Sequence, residues 1–259
     1  MPFAKLSAVQ LHYEWAGNES APVLAFCNSL GANYRMWDSQ LEAFSPHFHV
    51  LRYDTRGHGQ SSVPPGPYNV QQLGRDFLEL IDFLRVDRVY FCGLSMGGTT
   101  GMYLGATFPQ RLHKLVLCDT GAKIGTPETW HARIETVTKS GMKAVAGPLM
   151  ERWFTFDFRT SHADEVAELQ QMVESTNPEG YIANCAVVRD ADMREIVSLI
   201  QPPTLVVVGK HDLVATLGDG QFIANAIAGA KLVQVPAAHL SNVEARADFN
   251  REVLTFLQS

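Results

Sequence analysis

The chain has 259 residues, 46% of them hydrophobic and 19% charged, with a formal net charge of −6. That length supports a sizeable core without disulfide or metal staples, and the composition excludes a disordered chain. The acidic balance and the lack of a Lys/Arg run argue against nucleic acid, and no stretch approaches the roughly 18 apolar residues of a membrane span.

The opening MPFAKLSAVQ has no apolar signal core, so a cytoplasmic location is expected. Short apolar, β-branched runs follow in order: Val23 to Cys27, His49 to Tyr53, Val89 to Cys92 and Leu115 to Leu117. Each ends in a glycine-containing or polar loop, and stretches of helical period lie between them. This alternation predicts an α/β fold, a mainly parallel sheet with helices on both faces. Between 71 and 84, Leu73, Phe77, Leu80, Ile81 and Leu84 recur at helical spacing with charged residues between them, which predicts an amphipathic helix.

From 122 to 199 the strand rhythm stops and helical patterns rich in Glu, Met and Trp take over, predicting a helical cap inserted into a core of 1–121 and 200–259. Pro202 and Pro203 mark the return to extended chain. Two more strands are expected at Thr204 to Gly209 and Lys231 to Val235, with a closing helix from Phe249 to Leu257. Cys27, Cys92, Cys118 and Cys185 are widely spaced without a CxxC pair, so reduced, buried thiols are expected.

The run at 89–92 leads into GLSMGG, Gly93 to Gly98. GLSMG fits the GxSxG elbow, in which a serine sits on a tight turn between strand and helix. Ser95 is therefore the candidate nucleophile, against the plainer role of a glycine-rich structural turn. A serine hydroxyl needs a base to take its proton and a carboxylate to orient that base. Asp212, in GKHDLV after a predicted strand, and His239, in AAHLSNVE after the next, supply both in the order elbow enzymes use. Asp119, ending KLVLCD, competes as the acid, and His211 as the base. A loop histidine and a strand-end carboxylate are the non-catalytic roles. The oxyanion hole needs two backbone N–H donors. Met96, next to the nucleophile, is one candidate; Leu30 in the loop NSLGAN is the other, with Ser29 as its neighbouring alternative.

DTRGHGQSS, Asp54 to Ser62, lacks both GxGxxG and GxxxxGK, so no nucleotide site is expected. Arg56, Gly57 and Gly59 there are expected to shape a buried turn. No grouped His, Cys and Asp ligands appear, so no metal is expected.

Together NSLG, DTRGHGQS, GLSMGG, GKHD and AHLSNVE resemble the α/β hydrolase family across almost the whole chain. The resemblance implies an eight-stranded, mainly parallel sheet and no cofactor. One departure is Asn28-Ser29 where many relatives have HG. The cap stretches TWHARIETV, ERWFT and PEGYIANCAVVRDADMR resemble the 3-oxoadipate enol-lactonases of bacterial aromatic catabolism. This implies a small, carboxylated enol-lactone as substrate. Its free carboxylate calls for an arginine fork in a largely apolar pocket. Arg133 and Arg152 are the candidates, with Trp130 and Trp153 as walls; solvated charge and cap packing are their plainer roles. Another small carboxylesterase, a C–C bond hydrolase or a cofactor-free perhydrolase would share the triad, and a non-catalytic ligand-binding module would share the fold. A homo-oligomer stays open.

Overall fold

The computed structural model describes residues 2–259. Eight strands make one sheet in the order β1-β2-β4-β3-β5-β6-β7-β8. β1 (Phe3–Lys5) and β2 (Gln10–Gly17) are its antiparallel edge, and β2 meets β4 (His49–Tyr53) antiparallel. β3 (Val23–Cys27), β4, β5 (Val89–Leu94), β6 (Leu112–Cys118), β7 (Thr204–Gly209) and β8 (Lys231–Val235) run parallel. β7, TLVVVG, is buried along its whole length, as a central parallel strand covered on both faces must be.

Helices fill the crossovers. α1 (Leu41–Phe44), α2 (Val70–Phe83) and α3 (Met96–Thr107) follow β3, β4 and β5 in turn. In α2, Leu73, Phe77, Leu80 and Ile81 are buried, and Asn69 caps the start in a reciprocal box with Gln72. Between β6 and β7 stand α4 (Pro127–Ser140), α5 (Lys143–Trp153), α6 (Phe156–Ser161), α7 (Ala163–Glu174) and α8 (Pro178–Asp190), five consecutive α-helices in one crossover. α4 starts where Thr126 caps Thr129 and proline takes the first turn, where its missing N–H costs nothing. α9 (Leu217–Ala226) follows β7, while α10 (Ser241–Glu244) and α11 (Arg246–Gln258) follow β8.

The parallel strands present their C-terminal ends at one sheet edge, where the loops carrying Ser95, Asp119, Asp212 and His239 emerge. In open α/β sheets ligands bind at that edge, outside the carboxyl ends of the strands. All four cysteines are buried free thiols. Among the described residues, no helix is long and apolar enough to cross a membrane.

Candidate active site

Ser95 has φ 55° and ψ −113°, a conformation that costs an L-residue of order 1–3 kcal/mol. Its surroundings hold it there. The Ser95 N–H donates to Cys118 O at 2.9 Å, and the Ser95 carbonyl accepts from the Thr120 hydroxyl and the Thr99 N–H, each at 2.9 Å. A Cβ on Gly93 would overlap the Gly97 carbonyl, and one on Gly97 would overlap the Cys27 carbonyl. The elbow therefore closes only with glycine on both sides of the serine. Met96 opens α3, so its N–H has no intrahelical acceptor.

Asp212 and His239 meet across the ends of β7 and β8. The Val214 and Ala215 N–H groups donate to Asp212 Oδ1 at 2.7 and 3.1 Å, leaving Oδ2 for His239 Nδ1 at 2.8 Å. The carboxylate thus accepts a hydrogen bond from Nδ1–H, which keeps the ring proton on Nδ1 and leaves the Nε2 lone pair for a substrate-side proton. Burial works against the His239 imidazolium, but the Asp212 charge and hydrogen bond, with Asp119 behind them, outweigh it and raise the pKa above the ordinary value. His211 is exposed and lies outside this pair.

The competing carboxylate, Asp119, has other partners. It accepts the Gly209 N–H at 2.7 Å and the Ser241 hydroxyl at 2.5 Å, bridging the β7 end to the chain beyond His239. Burial, and then the nearby Asp212 charge, push its carboxyl up to about 8, against the pull of His239, Ser241 and Gly209.

In the loop after β3 the backbone N–H groups differ in their partners. Asn28 is pinned through its side chain, donating to Tyr53 O at 2.9 Å and accepting from Trp37 Nε1 at 3.0 Å. The Ser29 N–H meets Met36 Sδ, the Gly31 N–H meets His58 Nε2, the Ala32 N–H meets Ser29 O, and the Asn33 N–H meets Met172 Sδ. From Ser29 to Asn33, the Leu30 N–H alone has no acceptor among the described residues.

Trp130, Arg133 and Arg152 come together with Pro148, Leu213 and Val214 around a cavity of about 590 Å³. Arg133 lies over the Trp130 ring at 4.9 Å. Its charge opposes protonation of His239 and, against the upward push of burial, favours ionisation of Tyr181 and Cys185. The guanidinium therefore bears on the base and on α8 together. Trp153 is placed differently: its side chain is buried and its carbonyl accepts the Leu240 N–H at 3.0 Å. Glu244 strengthens this seam, accepting from the Ala238 N–H at 2.8 Å and the Thr155 N–H at 3.2 Å.

Arg56, in DTRGHGQSS, forms a buried two-pronged pair with Asp76, both contacts 2.5 Å. Two residues that carry little signal in the sequence also stand here. His58 holds the Gly31 N–H at 2.9 Å, and the Tyr181 ring packs against Gly31. The signal for His58 is only its place in a glycine-rich turn; Tyr181 has none beyond its lying in a cap stretch. Among the described residues, no cluster of His, Cys, Asp and Glu could hold a metal.

Residues 22–245 match the family described as alpha/beta hydrolase fold. The chain is 40% identical over 245 residues to 3-oxoadipate enol-lactonase 2 of Acinetobacter baylyi, covering 95% of this chain and 92% of that one. With 3-oxoadipate enol-lactonase 1 of the same organism it shares 35% over 243 residues, 94% and 91% of the two chains. The crystal structure of the enol-lactonase from Burkholderia xenovorans superposes with a TM-score of 0.98 and 43% identity over the whole of both chains.

Proposed function

The chain belongs to the alpha/beta hydrolase family, and from that premise we propose that it hydrolyses the ester bond of 3-oxoadipate enol-lactone to give 3-oxoadipate. The observation that carries this reading is the position of Arg133, a cationic fork on the cavity wall whose charge is felt at His239. A base within the field of a cationic fork suits a small lactone bearing a carboxylate.

In this reading Ser95 Oγ attacks the ring carbonyl while His239 Nε2 takes its proton, and Asp212 stabilises the imidazolium formed. The Leu30 and Met96 N–H groups hold the oxyanion. Collapse of the tetrahedral intermediate breaks the ring C–O bond. The departing oxygen is an enolate, a better leaving group than an alkoxide; once protonated it tautomerises to the ketone. Water, deprotonated by His239, then attacks the acyl enzyme, and Ser95 leaves with its proton restored. Arg133 binds the free carboxylate, with Arg152 and Trp130 on the same cavity wall.

The test is consumption of the enol-lactone followed by absorbance, with wild type, Ser95→Ala and Arg133→Ala. Ser95→Ala is expected to lower kcat by about 10⁴-fold or more. Arg133→Ala is expected to raise KM for the lactone about 10–100-fold, the value of a charged hydrogen-bonded pair, while sparing p-nitrophenyl acetate. Equal rates for wild type and Ser95→Ala would overturn the mechanism. Unchanged lactone turnover in Arg133→Ala would overturn the substrate.

A further inference from the structure

Ser29 to Ala32 form a hydrogen-bonded turn: the Ala32 N–H donates to Ser29 O at 3.1 Å, and the third residue, Gly31, has φ +86°. A positive φ at that position is the mark of a type II turn. Types I and II differ by a flip of the central peptide, here the one between Leu30 and Gly31. Whatever holds the Gly31 N–H therefore selects the turn.

That group is His58, whose Nε2 accepts the Gly31 N–H at 2.9 Å. The ring is fully buried. With Nε2 accepting, the ring proton sits on Nδ1, which has Thr55 Oγ1 at 3.1 Å and Arg56 O at 3.3 Å within reach. Burial pushes the imidazole pKa down to about 4, against the weaker pull of the Arg56 carbonyl and the Asp54 charge, so the Nε2 lone pair persists at neutral pH.

The helical insertion grips the same residue from outside. The Thr176 hydroxyl, between α7 and α8, donates to Gly31 O at 3.1 Å. A Cβ on Gly31 would lie 3.1 Å from the Tyr181 ring. Asn184, also on α8, donates to Arg56 O at 2.8 Å, so α8 reaches the backbone next to His58 as well.

We propose that His58 is a positioning residue: by accepting the Gly31 N–H it keeps the Leu30–Gly31 peptide from flipping and so pins the turn on which the neighbouring Leu30 N–H stands as an oxyanion donor. This rests on the reading of Leu30 as an oxyanion donor. Its cost when lost falls on the transition state, because the oxyanion appears only there. Substrate binding is spared.

The test compares His58→Leu, which removes the acceptor, His58→Gln, whose amide oxygen reaches the place of Nε2, and His58→Asn, whose side chain is too short. Each is assayed for kcat and KM on the enol-lactone and on p-nitrophenyl acetate, with thermal melting alongside. His58→Leu and His58→Asn are expected to lose about 10–100-fold in kcat on both esters with KM within about threefold, and His58→Gln to regain most of it. If the leucine variant does not fold, the glutamine and asparagine pair decides alone. Equal kcat for those two, or a loss that follows melting temperature rather than the acceptor, overturns the assignment. Were the wild type inert toward the lactone, the substrate reading would fail while the p-nitrophenyl acetate series still judged His58.

Discussion

His239 Nδ1 lies 2.8 Å from Asp212 Oδ2, and the other Asp212 oxygen is already committed to two backbone N–H groups. The carboxylate is fixed before it meets the imidazole, so it sets the ring's tautomer. Asp212→Asn would present an amide N–H or a weaker acceptor to Nδ1 and favour the wrong tautomer. A kcat loss of about 10⁴-fold with an intact fold is expected, whereas Asp119→Asn should stay within about tenfold of wild type. Steady-state assays with circular dichroism check both.

The pH profile should carry the mark of two neighbours of His239. The base works only when neutral, so activity rises as pH climbs through its pKa, which Asp212 holds above the ordinary histidine value despite burial. Arg133 opposes that rise from the cavity side. Removing its charge in Arg133→Ala should move the acid limb of kcat to higher pH. A limb that stayed put or moved to lower pH would separate Arg133 from the base. Measuring kcat for p-nitrophenyl acetate from pH 5 to 9 gives the answer.

Asp119 predicts a pH dependence of stability. Its carboxyl titrates near the ordinary carboxylate value when unfolded and at about 8 when folded. Between those values the folded state holds a proton that the unfolded chain has released, so stability falls as pH rises. The contribution is full below the unfolded pKa and is lost as pH passes 8. Asp119→Asn removes the titration, so the wild type should lose more melting temperature than the variant between pH 5 and 8. Parallel melting curves would refute this.

Arg56 and Asp76 bear on stability by a different route. Asp76→Ala leaves the Arg56 guanidinium buried without its two-pronged partner. Breaking such a pair costs about 3–5 kcal/mol, which lowers the melting temperature by roughly 6–20 °C. Differential scanning calorimetry at pH 7 reads it directly.

What could be read without coordinates followed from how locally each feature is written. β3 and β7 are almost wholly apolar, β4 and β8 are apolar runs with two polar residues each, and the bounds of all four match those expected. β6 begins earlier than its apolar run because Leu112, His113 and Lys114 belong to the half-buried end of the strand. β2, one strand in from the edge, hides behind its polar residues. His12 is buried there with its Nδ1 3.0 Å from Asp54 Oδ2, a partner 42 positions away. Ser95, Asp212 and His239 each follow a recognisable strand, so their shared edge is visible from the chain order. His58 is not, since its work is done on a backbone N–H 27 residues earlier. Trp153 is expected as an aromatic wall, and its carbonyl also accepts the Leu240 N–H, a contact that no side chain announces.

The seam between the helical insertion and the loop carrying His239 bears on how such a protein can diversify. Trp153 gives a main-chain acceptor to Leu240, and Glu244 fastens both Thr155 and Ala238. The insertion is thus not an interchangeable accessory. A chimera that imported foreign helices for a new specificity would also import, or forfeit, the anchorage of the base. Graft points chosen on the far sides of Trp153 and Thr155, with Glu244 retained, keep selectivity and reactivity separable by recombination.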